Sequence, residues 1–173
     1  RAYIVDRAIF DRHLAEMARE AGAEIERNHR IREFIITDGR VTGVRGDLDV
    51  KASIVIDAEG VSGALARKAG LSRPGGGVLA GINANVLDAQ LQPGMVEIWF
   101  GEGLAGGLFA WAVPVGEDEV RCGLATDKGD ALELLRGFIK RRFGLTECGE
   151  PERWPVLTGG PVDKTHGVGL LLV

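Results

Sequence analysis

Cysteine is scarce in this chain: Cys122 and Cys148 are the two in 173 residues. They stand too far apart for a CxxC redox pair or a zinc knuckle and are too few for a disulfide framework, so a reducing cytoplasm is the default expectation. Aromatic residues are few as well, 6% of the chain, so each one on a strand face carries weight. No apolar run approaches the ~18 residues that read as a membrane span. The first residues lack the charged, apolar and small-residue zones of a secretion signal. Positive charge is not in excess either: the formal net charge is -4, and no basic stripe alternates with aromatics. That excludes a nucleic-acid binder that works by neutralising phosphates. Also missing are HExxH, GxGxxG, a Walker loop and any Ser/His/Asp arrangement, and His13, His29 and His166 are scattered.

Glycine, in contrast, is abundant at 26 residues, which implies many tight turns or close backbone approaches. Hydrophobic residues make up 45% of the chain and charged ones 27%, a balance that fits a single globular unit.

The opening "YIVDRAIFDRHLAEMAREAGAEI" sets Phe10, Leu14, Met17, Ala18 and Ala21 at helical spacing, with Asp6 as cap and Gly22 as stop. "AEIE" after it reads as a short strand. Between residues 31 and 57, Asp38-Gly39 separates two β-rich runs and predicts a hairpin within a three-stranded meander. Arg45-Gly46-Asp47 reads as a glycine turn between strands, not an adhesion motif. "SIVIDAEGVSGALARKAG" predicts a strand, an acidic glycine turn and a short helix, with Ser62 near its start and Gly70 at its end. "LSRPGGG" then reads as a hinge. Beyond it, alternation at Val78, Ala80, Ile82, Ala84 and Val86 opens a four-strand antiparallel sheet that continues through "MVEIWF", "LFAWAV" and "VRCGLA". A helix over 130–143 follows, with Asp130 and Glu133 as a capping box, Gly144 as its end and Lys140, Arg141 and Arg142 complementing its macrodipole. The tail reads as irregular until "GLLLV", an aliphatic run expected to form a buried strand. The fold class is α+β, derived from α/β, with lobes at 1–72 and 73–160 and a return to the first lobe at 161–173.

Three stretches bear on chemistry. Arg7 lies where the opening extended piece meets the helix, a place from which a guanidinium reaches an anionic ligand such as a pyrophosphate, or simply pairs with Asp6 or Asp11. Asp57-Ala58-Glu59-Gly60 puts carboxylates and flexible backbone at the carboxyl edge of a strand; a carboxylate there accepts from ribose hydroxyls or fixes the loop. Phe109 and Trp111 share one face of a strand that ends at Pro114, and two such aromatics either wall an apolar ligand or fill a core.

In this order the three stretches resemble the geranylgeranyl reductase family of flavoproteins, within the superfamily related to para-hydroxybenzoate hydroxylase. "YIVDRAIFDRHLAEMAREAGAEI" resembles the family's Arg-containing strand and helix. "IVIDAEGVSGALARKAGL" resembles its second nucleotide-proximal motif, and "FAWAVP" its aromatic-x-Trp-x-aromatic-Pro cavity motif. The resemblance implies a partial FAD-binding Rossmann-like lobe with a β-meander, plus an antiparallel-sheet substrate lobe with a packed helix. It implies that the chain is the middle of a longer flavoprotein, inactive as an isolated piece. Arg7, Glu59 and Gly60 correspond to cofactor contacts, with Glu59 in place of the usual aspartate and Gly63 in place of a serine. Phe109, Trp111, Pro114 and Gly123 correspond to the substrate cavity. There Phe109 replaces a tyrosine, Val113 the second aromatic, Gly106 an upstream proline and Ala125 the second glycine of a Gly-x-Gly.

The implied cofactor is FAD, with NAD(P)H or another electron donor, and no residue stands out as a proton donor. The implied partner is an isoprenoid or prenylated lipid, with no nucleic acid and with peripheral membrane contact through the lipid. Two other readings fit the same residues: an FAD-dependent aromatic monooxygenase, and a non-redox lobe that binds an apolar ligand.

Overall fold

In the computed structural model, which describes residues 3–71, 77–159 and 164–173, Asp38 and Gly39 both take positive φ, 50° and 75°. Two successive left-handed residues make the turn whose twist matches a β-hairpin. It joins β1 (Ile31–Thr37) to β2 (Arg40–Gly46), and β3 (Val50–Lys51) completes an antiparallel meander in the order β1-β2-β3. Gly46 ends β2 and its amide neighbour Asp47 donates to the Arg30 carbonyl, so the Arg-Gly-Asp triplet is a strand end.

The same compact unit, which comprises the residues up to Asp57 together with His166–Leu172, holds α1 (Arg7–Glu20). Asp6 caps α1, its carboxylate accepting from the amides of Ala8 and Ile9 at 2.9 and 3.1 Å, and Gly22 follows the last turn with φ of 95°. No residue of α1 is buried, and Ile9, Phe10, Leu14 and Met17 stay substantially exposed. "AEIE" forms no strand; it follows the helix as irregular chain without ladder partners among the described residues. The unit's other sheet runs β10-β11-β4, with β4 (Val55–Asp57) parallel to β11 (Leu170–Leu172) and β10 (His166–Gly167) antiparallel to it. The aliphatic run at the chain end is therefore a strand, but only one of its faces is covered: Leu170 is buried and Leu171 is exposed. A pleat sends successive side chains to opposite faces, so a strand needs two packed layers to bury both.

The second unit runs over Ala58–Thr165. A 3-10 turn (Gly60–Ser62) leads into α2 (Ala64–Lys68). Beyond it lies a five-stranded antiparallel sheet of order β6-β7-β8-β5-β9, formed by β5 (Val78–Leu87), β6 (Glu97–Trp99), β7 (Ala110–Pro114), β8 (Glu119–Thr126) and β9 (Glu152–Leu157). The hinge expected at 71–77 and the lobe boundaries at 72/73 and 160/161 fall on or beside residues outside the described ones.

The sequence reading had four strands here. The fifth, β9, lies in the tail read as irregular, where Pro155 breaks the strand signature. A proline is tolerated because β9 is an edge strand.

α3 (Ala131–Phe143) covers one face of this sheet. Asp130 caps it through the amides of Leu132 and Glu133, and Gly144 closes it in the left-handed region. Leu135, Phe138 and Ile139 of α3 pack on Ile82, Ala84, Val86, Ala110, Ala112, Val120, Cys122 and Leu124, all at most 2% exposed. Burial pushes the Cys122 thiol up to about 12, so it keeps its proton and serves as a small apolar group. The short strand β6 is tied to α3 at two points. Trp99 meets Phe138 edge-on at 5.8 Å, and Glu97 pairs with Arg142 through two bonds of 2.6 and 2.7 Å.

Candidate functional site

Arg7 opens α1, where its Nε and Nη2 donate to the two carboxylate oxygens of Asp11 at 3.1 and 3.2 Å. The pair is i,i+4 on a helix surface and Arg7 is 76% exposed, so it contributes only a few tenths of a kcal/mol. A stronger anion could take over the guanidinium at little cost. Glu59 and Gly60 belong to the second unit, Arg7 to the first.

Glu59 explains how a five-residue helix is held. The residue ahead of α2 is Gly63, which has no side chain to cap it. Glu59 reaches across the 3-10 turn instead: its Oε1 accepts from the amides of Leu65 and Ala66 at 2.6 and 3.3 Å, and its Oε2 from the Ser62 hydroxyl at 2.7 Å. Burial raises its carboxyl pKa, but these three donors and Arg67 outweigh that and leave it below the usual glutamate range. The longer side chain at this position is what lets it reach past the 3-10 turn to the first turn of α2. Gly60, with φ of 66°, has open space where a Cβ would stand, so its backbone is approachable. Replacing Glu59 by Ala is expected to cost about 1 kcal/mol, the usual worth of a lost cap. Hydrogen exchange at the Leu65 and Ala66 amides should rise in Glu59→Ala and less in Glu59→Gln.

Of the other predicted residues, Trp111 and Gly123 lie on the sheet face away from α3 with Phe109 beside them, whereas Pro114 falls on the strand parity of Ala110 and Ala112. Side chains alternate along β7, so Ala110 and Ala112 point into the core while Trp111 and Val113 point the other way. Phe109 directly precedes β7, and its ring meets Trp111 at 6.1 Å between centroids, inclined at 75°. Pro114 is the last residue of β7, opposite Val120. Gly123 of β8 pairs with Trp111 across the ladder. A Cβ on Gly123 would run into Trp111 Cζ2 and would stand 2.8 Å from the Ile82 carbonyl. The indole thus lies against β8 because position 123 has no side chain.

Two further aromatics share this face. Phe100, just after β6, meets Phe109 at 5.8 Å, and Trp154 of β9 meets Trp111 at 6.5 Å. Trp154 stands opposite Gly81 of β5, whose Cβ would be 2.9 Å from the indole Nε1. The face becomes polar one step along the strands, where Arg121 donates to Asn85 Oδ1 and Asn85 Nδ2 donates to Glu119. A groove of about 630 Å³ lies elsewhere in this unit, against the start of α3. It touches Trp154 but none of Phe109, Trp111, Pro114 or Gly123, so its size does not mark the predicted site. The sequence reading missed Trp154 with its strand. Its spacing two residues from Glu152 and Val156 was the available signal, masked by Pro155.

Phe109, Trp111 and Trp154, all half-buried, and the exposed Phe100 form a line of rings on an antiparallel sheet, the two indoles backed by glycines, and such an arrangement is able to hold a flat or extended apolar molecule. The fold matches a known one: 99% of the chain superposes on a geranylgeranyl bacteriochlorophyll reductase-like protein from Thermoplasma acidophilum, with a TM-score of 0.88, 24% identity and 47% of that chain covered. A flavin-dependent brominase matches at a TM-score of 0.76 and 19% identity, over 99% of this chain and 48% of its own. The fold is that of flavin-dependent oxidoreductases.

The chain also resembles curated reductases in sequence. It is 31% identical over 99% of its length to digeranylgeranylglycerophospholipid reductases of Methanothrix thermoacetophila and Methanosarcina acetivorans, covering 47% and 46% of them. It thus spans about half the length of these curated relatives. No family model matches it. Among the described residues no helix is long and apolar enough to cross a membrane, and no cluster of metal-ligating side chains is present.

Proposed function

We propose that the protein carrying this chain is an FAD-dependent reductase of carbon–carbon double bonds in an isoprenoid chain, such as the geranylgeranyl chain of a lipid. The observation that carries this reading is the aromatic face, with Trp111 laid on Gly123 beside Phe109. A saturated or unsaturated hydrocarbon gains dispersion and apolar burial on such a surface without needing a hydrogen-bond partner. Phe109 offers no hydroxyl, so substrate is held there by shape alone.

FAD fits part of the predicted set. Among the described residues the Arg7 guanidinium is held by an exposed surface pair, which suits an anionic ligand, and Gly60, in the other unit, has an open, left-handed backbone. Glu59 acts one step away, since its carboxylate is committed to the start of α2. Bound flavin would supply the hydride that adds to the double bond, with a proton completing the reduction. This chain's part is to orient the hydrocarbon and keep water off it.

The test is made on the full-length protein supplied with FAD. A visible spectrum of oxidised flavin is expected, bleaching on reduction and returning on anaerobic addition of a geranylgeranyl lipid, with the saturated product found by mass spectrometry. A flavin reoxidised only by oxygen with hydroxylation of an aromatic ring would replace this reading with the monooxygenase one. A colourless protein that still binds prenyl lipid would leave the non-redox lobe.

A further inference from the structure

We infer that Trp154 is a chain-length determinant: it extends the aromatic face beyond the Phe109–Trp111 motif so that a long prenyl chain is held at one more point than a short one. The inference rests on the isoprenoid reading above and adds a residue, a strand and a specificity to it.

Three observations support it. Trp154 comes from β9, which is distant in sequence from the motif and is placed beside β5 only by the sheet order. Its ring is the last in a line of contacts, Phe100 to Phe109 to Trp111 to Trp154, with steps of 5.8, 6.1 and 6.5 Å between centroids. The line runs across the strands, and the two tryptophans close the gap between β7 and β9 because the positions beneath them, Gly123 and Gly81, are empty of side chains. Each indole lies over a glycine on the same sheet face, and the two neighbouring rings, inclined at 44°, give adjoining apolar surfaces. Trp154 is half-buried in the described chain, leaving ring surface for a ligand. A short chain lying over Phe109 and Trp111 ends before Trp154, whereas a longer one continues onto it.

Tryptophan over glycine across a sheet is also a structural device, since the ring shields a strand that glycine weakens. A structural role would affect chains of every length alike, and this separates the two explanations. Calorimetric titration of the full-length, FAD-loaded protein with geraniol and with geranylgeraniol measures both. The wild type should bind geranylgeraniol more tightly. Trp154→Ala should weaken geranylgeraniol by about tenfold, as expected for loss of one ring's worth of apolar contact, and geraniol by less than about twofold. Trp154→Phe should recover most of the loss, and retained geraniol binding reports that the variants are folded.

Equal weakening of both alcohols, no weakening of either, or a wild type that binds neither would overturn the inference. Length-dependent binding as expected in a protein that reduces no double bond would leave Trp154 in its role and remove the reductase reading. Reduction of geranylgeranyl chains with a length preference untouched by Trp154→Ala would do the reverse.

Discussion

Gly123→Ala should destabilise the second unit by about 3 kcal/mol, the upper range for forcing one methyl into a filled interior. The cost is high because the new Cβ has nowhere to go. On one side is the Trp111 ring and on the other, at 2.8 Å, the carbonyl of Ile82, a residue of the neighbouring strand β5. The ring can turn away only by leaving Trp154 and Phe109, and the carbonyl can retreat only if the β5–β8 ladder opens. Urea unfolding followed by tryptophan fluorescence checks the loss of stability. The near-ultraviolet circular dichroism of the folded variant should also weaken, because its aromatic contacts at 6.1 and 6.5 Å cannot all persist. A variant as stable as the wild type, with an unchanged spectrum, would show that the sheet relaxes around the methyl group.

The second large effect is expected at Arg142. Its guanidinium grips Glu97 through two bonds, Trp99 Nε1 donates to the same carboxylate at 2.9 Å, and both members of the ion pair are less than a third exposed. Arg142→Ala leaves a half-buried carboxylate with one donor in place of three, at a cost of about 2 kcal/mol. The loss falls on β6, which the pair ties to α3.

The pH dependence has a definite sign. Arg142 is the main cause that holds the Glu97 carboxyl below its ordinary 4.5, with Trp99 helping and burial opposing. A carboxylate with a depressed native pKa binds fewer protons than in the unfolded chain, so the stability it confers is complete above the ordinary glutamate range. It is lost as pH falls from there through the lower native value. Urea midpoints measured from neutral to acid pH should therefore fall for the wild type across that window. Arg142→Ala should show a shallower fall, and the gap between the two proteins should narrow with acidity. A gap that widened as pH dropped would contradict the assignment.

Local chemistry made much of the fold legible. Asp38-Gly39 has only one good use between two β-rich runs, and it makes that turn. Asp6 and Asp130 stand just before amphipathic stripes and cap both longer helices, because a short acidic side chain satisfies amides within the next turn whatever lies around it. The same locality explains the errors. "AEIE" has strand composition, but a strand forms only by pairing, and among the described residues it pairs with none. β9 carries a proline that lowers its strand signal, yet the sheet takes it at an edge. At Glu59, of the two uses open to its carboxylate, meeting a ligand or fixing its loop, the hydrogen bonds show the second, because Gly63 has no side chain to cap α2.

By itself, the sequence determined most of the order of helices and strands, the caps and turns that bound them, and the family that the motifs resemble, because these follow from interactions a few residues long or from motifs read in order. Only the tertiary structure decided that Trp111 rests on Gly123 and Trp154 on Gly81, and that Glu97 meets Arg142. These pairs are brought together by strand order and helix packing, which depend on how the whole sheet buries its apolar face. No stretch of the chain contains that information locally.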